Sequence, residues 1–207
     1  MPRNKYPEET VQKILDASLK LFLEKGYEET TVLDIIGEMG GLTRGAFYHH
    51  FKSKEEVFDT LCEKLFYETN PFDKAKKQKQ LNGLEKLKFV LKTSFDETEH
   101  QQLSQASMSL MDSPAFLKKL IESNKELTLM YQELIEEGIQ DGSIKTEHAK
   151  LVSELFVLLT NFWSVPTIYP MDSEEAWEKF LLIKDIMDSL GLSVIDDEII
   201  RLCKENQ

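Results

Sequence analysis

Cysteine is nearly absent from this chain: there are two in 207 residues, Cys62 and Cys203. Without a C-x-x-C spacing or a Cys/His cluster, a zinc finger is excluded, and a disulfide framework with it. Both thiols are expected to be small buried or half-buried apolar groups. Long apolar runs are missing too. The longest, "LFVLLTNFW" from Leu155 to Trp163, falls far short of the ~20 residues that a membrane helix needs. The opening "MPRNKYPEET" has no apolar signal region behind it, so nothing directs export and the cytoplasm is the expected location. No phosphate loop, nucleotide fingerprint or nucleophile motif occurs, so no enzyme and no cofactor are expected. Glu97 to His100 forms a lone E-x-x-H, and a di-iron bundle needs a second one on a facing helix. That segment reads as a solvated helix end.

Positive charge is scarce. There are 25 Lys and Arg against 37 Asp and Glu, a net charge of −12. Such a body repels nucleic acid in general, so any contact with it must be local. Residues 1–56 are the place for it, with eight basic and ten acidic residues against 17 and 27 in the remainder. The basic run Lys74, Lys76, Lys77 and Lys79 has no interleaved aromatics and reads as a solvated connection.

What the chain does have is helical periodicity. Hydrophobic residues make up 41% of it, enough for a real core. Val11, Ile14, Leu15, Leu19 and Phe22 share one helix face, and Gly26 ends that helix. Thr31 with Asp34 is a capping box that opens a second helix, which Gly40-Gly41 breaks. A short helix follows from about Thr43 to His50. Ser53-Lys54-Glu55-Glu56 then opens a fourth, which stops at Asn70-Pro71. Further helices are predicted at about 82–99, 101–111, 114–141, 146–164, 173–190 and 196–205. No segment shows a strand period, so the expected class is all-α.

The stretch "GLTRGAFYHHFKSKEEVF", Gly41 to Phe58, carries the chemistry. On a helix, Phe47 and Phe51 share a buried face, while Arg44 and Tyr48 share another with Thr43, Gly45 and His49 nearby. Two short helices joined by a glycine turn, the second polar outside, make a helix-turn-helix. Its second helix can enter the DNA major groove. Arg44 can donate two hydrogen bonds to guanine, Tyr48 and His50 can donate to phosphates, and Lys54 with the free amides of the fourth helix can hold another. Metal binding by His49 and His50 is not expected, since adjacent helical residues point about 100° apart.

These residues resemble the signature of the tetracycline-repressor (TetR) family of bacterial transcription regulators over about Ile14 to Leu61. The match includes "TTVLDII", the turn Gly41-Leu42-Thr43, the helix end Tyr48-His49-His50-Phe51 and Lys52-Ser53-Lys54. By position, the resemblance implies that Thr43, Arg44, Gly45 and His49 face bases or nearby backbone, and that Thr31, Tyr48, His50 and Lys54 hold phosphates. Gly37 and Gly40 stand where the family usually has alanine, each loosening the second helix by up to ~1 kcal/mol. The expected organisation is a helix-turn-helix DNA-binding domain over 1–53, a connecting helix over 54–70, and a helical effector-binding and dimerisation domain over 71–207. The expected function is a repressor that leaves a near-palindromic operator on double-stranded DNA when a small hydrophobic effector binds.

For the effector pocket, the aromatic and methionine excess points to Phe95, Met108, Met111, Phe116, Tyr131, Phe162, Trp163 and Tyr169. For a homodimer, it is the apolar girth of 146–164 that matters. Leu151, Leu155, Leu158 and Phe162 form one stripe, and Val152, Phe156, Leu159 and Trp163 form another. Ala176, Phe180, Ile183 and Met187 make the expected seam of the following helix.

Overall fold

The computed structural model of the chain describes residues 7–40, 43–67, 71–96, 113–166 and 168–205, leaving aside the side chains of 7, 65–67 and 95–96. Among the described residues all regular structure is helical. None of those helices is long and apolar enough to cross a membrane. Contacts divide the chain into two compact units, Met1–Thr69 with Leu103–Lys119, and Asn70–Gln102 with Leu120–Gln207.

The first unit begins with α1 (Pro7–Lys25), which has Glu8 and Glu9 in its first turn and Lys25 in its last, each favourable to the helix dipole. Gly26, at φ 86°, ends it. The buried Thr30 hydroxyl donates to the Gly26 carbonyl at 2.8 Å, satisfying one of the carbonyls left over at that end. α2 (Val32–Glu38), α3 (Arg44–His50) and α4 (Lys54–Tyr67) follow. Ile14, Leu15, Leu21, Ile35, Phe47, Phe51 and Val57 close one core. A second cluster joins Phe22, Tyr27, Phe58 and Cys62 to Phe116, from the first turns of α7 (Pro114–Asp141). Burial raises the Cys62 thiol to about 12 and the half-buried Cys203 thiol to about 11. Both stay protonated and behave as apolar groups.

The second unit holds α5 (Pro71–Lys76), α6 (Gly83–Asp96), most of α7, α8 (Ala149–Leu158), α9 (Ser173–Ser189) and α10 (Asp197–Glu205). Its core gathers Leu87, Val90, Tyr131, Leu134, Ile135, Val152, Phe156, Ile183, Met187 and Ile199, among others. α6 and α7 meet backbone to backbone. A Cβ on Gly83 would stand 2.2 Å from the Gly138 nitrogen, and one on Gly138 would stand 2.4 Å from Ile144 Cδ1. Neither position has room for a side chain.

Two segments depart from the expected pattern. The connection after α4 contains α5, because Pro71 suits a first helical position as well as it ends the previous helix. Phe72 and Ala75 are buried there, and Lys76 pairs with Glu133 at 2.5 Å, so the basic run is not simply solvated. The helix expected over 146–164 begins at Ala149, and beyond Leu158 it widens into a π turn, Leu159–Trp163. The helix expected over 101–111 and the Glu97–His100 segment lie outside the described residues.

Candidate nucleic-acid interface

α2 and α3 are each set by their first residue. Thr31 caps α2: its Oγ1 accepts from the Asp34 amide at 3.2 Å, and its own amide donates to Asp34 Oδ2 at 2.8 Å. Thr43 caps α3, accepting from the Ala46 amide at 3.2 Å. Gly40, at φ 50°, needs the freedom of glycine where the chain leaves α2. Gly37 is an exposed position inside α2 with open space around it. Phe47 is fully buried and Phe51 nearly so; burying Phe47 alone stabilises the unit by about 1.5–3 kcal/mol. That anchorage fixes the opposite surface of α3.

On that surface Thr43, Arg44, Gly45, Tyr48 and His49 are exposed and His50 is half-buried. A Cβ on Gly45 would meet only Thr43 Oγ1, at 4.0 Å. Nothing inside the fold therefore demands glycine there. The Tyr48 ring stands edge-on to Phe47 at 5.4 Å, with 47% of the residue open to solvent. The His49 and His50 rings lie 5.0 Å apart. Burial, and then the neighbouring His49, push the His50 imidazole below its ordinary range. Between Glu38 and Glu55 the chain has no carboxylate, so the surface presents only neutral and positive groups.

Two expected phosphate ligands are engaged elsewhere. Lys54 Nζ donates to the Tyr27 carbonyl at 2.7 Å and the Glu28 carbonyl at 3.3 Å, and it sits 4.3 Å from the centre of the Tyr27 ring. It ties the start of α4 to the chain just beyond α1. Two amides near that helix start have partners as well. Glu56 Oε2 accepts from the Lys52 amide at 2.5 Å, and Ser53 Oγ accepts from the Glu56 amide at 3.3 Å. Glu55 and Glu56 stand in the same first turn. The Thr31 hydroxyl donates to Asp34 Oδ2 at 2.6 Å, and Lys25 Nζ holds the same oxygen at 3.0 Å. Thr31 thus belongs to a cap with a carboxylate at its centre. Lys52, which the sequence reading passed over, is exposed next to α3. Its signal was the Lys-x-Lys pair itself, of which only the second member was weighed.

The described residues expected to line an effector pocket are distributed over both units. Phe116 is core of the first unit, 6.4 Å from the Phe58 ring. Tyr131 is buried in the second unit, edge-on to Phe72 at 4.9 Å and to Phe156 at 5.1 Å, and burial raises its phenol. Phe162 and Trp163 are half-buried in the π turn, and Tyr169 is half-exposed. Lys179, itself buried, places its ammonium 5.3 Å from the Trp163 ring and 5.4 Å from the Tyr169 ring. Met108, Met111 and the Phe95 side chain lie outside the described residues.

The expected dimer seams divide. Leu151 and Leu158 are exposed on α8, with Leu155 and Phe162 half-buried. Ile183 and Met187 of α9 are wholly within their own unit's core, so they are unavailable to a partner. Ala176 and Phe180 are half-buried, and Trp177 stacks on Phe180 at 5.4 Å. The stripe that reads as an intermolecular seam in α9 is for the most part the face that fills the chain's own core.

Comparisons with known proteins bear on the same segment. The family described as bacterial regulatory proteins, tetR family, matches residues 14–61. The HTH-type transcriptional repressor KstR2 of Mycolicibacterium smegmatis is 29% identical over 185 residues, covering 83% of this chain and 86% of its own. The HTH-type transcriptional regulator YhgD of Bacillus subtilis is 30% identical over 162 residues, covering 70% of this chain and 76% of its own. A solved structure from Syntrophomonas wolfei, assigned to TetR-family transcriptional regulators, is similar with a TM-score of 0.66 at 21% identity, over 92% of this chain and 98% of the other. At that identity the likeness speaks for the fold alone.

Proposed function

The chain belongs to the tetR family of bacterial regulatory proteins, and from that premise we propose that it is a homodimeric repressor, released from a near-palindromic operator by a small apolar effector. The observation that carries this reading is the outward surface of α3. It is exposed, free of carboxylates and backed by a rigid core, in a chain whose net charge is otherwise −12. Arg44 in the first turn reads a guanine through its O6 and N7 acceptors. Gly45 lets the backbone approach the bases. Thr43 and His49 flank that contact, and Tyr48, His50 and Lys52 hold phosphates. Lys54 and Thr31 act indirectly, by fixing the starts of α4 and α2. A dimer sets two such helices about 34 Å apart, in successive major grooves. The protein works where the chromosome is, in the cytoplasm. A repressor named among the relatives supports the sign of regulation.

Selection of duplexes from a random pool by the full chain tests the proposal. Retained sequences should share two half-sites related by a dyad, with affinity falling steeply as salt rises. Arg44→Ala should lose about 1–3 kcal/mol and relax preference at one position in each half-site. A pool without a shared half-site, or a salt-independent interaction, would overturn the reading.

A further inference from the structure

Asn124 on α7 is only 7% exposed. Its Oδ1 accepts from Asn161 Nδ2 at 2.6 Å, yet its own fully buried Nδ2 has no acceptor among the described residues. A buried amide donor without a partner is a standing penalty that a fold does not keep without cause. Leu120, Leu127 and Tyr131 stand at i−4, i+3 and i+7 from Asn124, so apolar residues flank the amide on its face, while the Thr128 hydroxyl at i+4 donates to the Asn124 carbonyl at 2.8 Å.

A second, independent feature lies at its partner. Asn161 belongs to the π turn Leu159–Trp163, a widened turn marked by the bond from the Ser164 amide to the Leu159 carbonyl at 3.1 Å. Such turns are rare and recur at functional sites. Leu159 and Trp163 of the same turn are half-buried and pack against the unit's core.

We propose that Asn124, held by Asn161, anchors the effector by donating to the carbonyl oxygen of a neutral, apolar molecule; this rests on the reading of the chain as an effector-released repressor. The free group is a donor, so the ligand atom must be an acceptor. The partner of each amide is the other, not a charged side chain. A carboxylate would bury its charge there without a counter-ion, whereas a ketone or ester oxygen needs only the hydrogen bond.

The test uses the full chain without DNA and calorimetric titration with three matched probe pairs. These are 4-phenyl-2-butanone with butylbenzene, benzophenone with diphenylmethane, and dicyclohexyl ketone with dicyclohexylmethane. At least one ketone should bind about tenfold more tightly than its hydrocarbon, the size expected of one buried hydrogen bond. Asn124→Leu should abolish that preference and leave the hydrocarbon's affinity in place. Asn124→Ala, which removes the donor without adding a charge, should do the same and serves if the leucine variant does not fold. The proposal falls if no ketone outbinds its hydrocarbon. It also falls if the variants keep the preference and differ only in melting temperature, as a purely structural amide pair would. Because binding is read without DNA, an intact ketone preference beside a failed operator selection overturns the repressor reading alone, and the converse overturns this site alone.

Discussion

The ammonium of Lys54 has three donors, and the carbonyls of Tyr27 and Glu28 take two of them. Lys52, two residues earlier, is exposed at the edge of α3. Replacing each by methionine should therefore give opposite outcomes. Lys54→Met should destabilise the chain by about 1–3 kcal/mol in thermal unfolding, the loss expected of charge-assisted hydrogen bonds to backbone. Its operator binding, measured where the variant is folded, should keep the parent's salt slope. Lys52→Met should leave unfolding unchanged and reduce the salt slope by about one. Asp34 supplies a second prediction. Hydrogen bonds from the Thr31 side chain, then Lys25 and the Thr31 amide, lower its carboxyl from 3.8 to about 2. Since the folded value lies below the unfolded one, the contribution is complete above about pH 4 and disappears as pH falls through 2. The gap in melting temperature between the parent and Asp34→Ala should be constant from pH 7 to 5, narrow below pH 4 and close near pH 2. At this scale the cap at Thr31 and the split of Phe47 and Phe51 from Tyr48 were legible, because each rests on residues three or four apart. The partner of Lys54 lies 27 residues away, and no local pattern carries that information.

Helices are legible when their own periodicity forms them and less so when a neighbour does. α1, α7 and α9 show their apolar faces and end signals in sequence. α5 has six residues, and it is held by burial of Phe72 and Ala75 rather than by any strength of its own. Isolated helices of that length do not persist in water. The π turn carries Asn161, whose partner Asn124 lies 37 residues away, and a run of apolar residues gives no sign of either. The close approach of α6 to α7 rests on Gly83, whose added Cβ would meet the Gly138 backbone, and Gly138 in turn leaves room for Ile144; in sequence both look like ordinary breaks in a helical pattern. Gly138→Ala would raise intrinsic helix propensity by about 1 kcal/mol. The added Cβ, however, would stand 2.4 Å from Ile144 Cδ1, and overpacking of that kind costs about 1–3 kcal/mol. The clash should win, so Gly138→Ala lowers the denaturant midpoint. Combining it with Ile144→Val, which trims the side chain it meets, should recover part of the loss. A Gly138→Ala protein more stable than the parent would mean that Ile144 can move aside without cost.

For the whole molecule, the proposed homodimer implies a surface that meets a second copy. The sequence correctly marked α8 as apolar on two sides. Val152 and Phe156 fill the chain's own core, and Leu151 and Leu158, 60% and 53% exposed, are left uncovered on the other face. Of the expected seam on α9, Ile183 and Met187 are buried in the chain's own core, since their spacing is the same whether the face they form meets a partner or that core. On α9 the apolar residues that remain open are Leu182 and Leu190, at 48% and 38%. Leu151, Leu158, Leu182 and Leu190 are thus the groups a partner would cover, with half-buried Leu155, Phe162 and Phe180 beside them. A stable obligate interface built on them should bury about 2,000 Å² or more. Leu158→Glu places a charge on that face without touching the core, so the variant should remain folded by circular dichroism. Sedimentation should then find the parent at twice the chain mass of 24.0 kDa and the variant at 24.0 kDa. Operator affinity should fall with it, because a single half-site loses the second helix's contribution. A Leu158→Glu protein that still sediments at twice the chain mass would show that the copies meet through another surface.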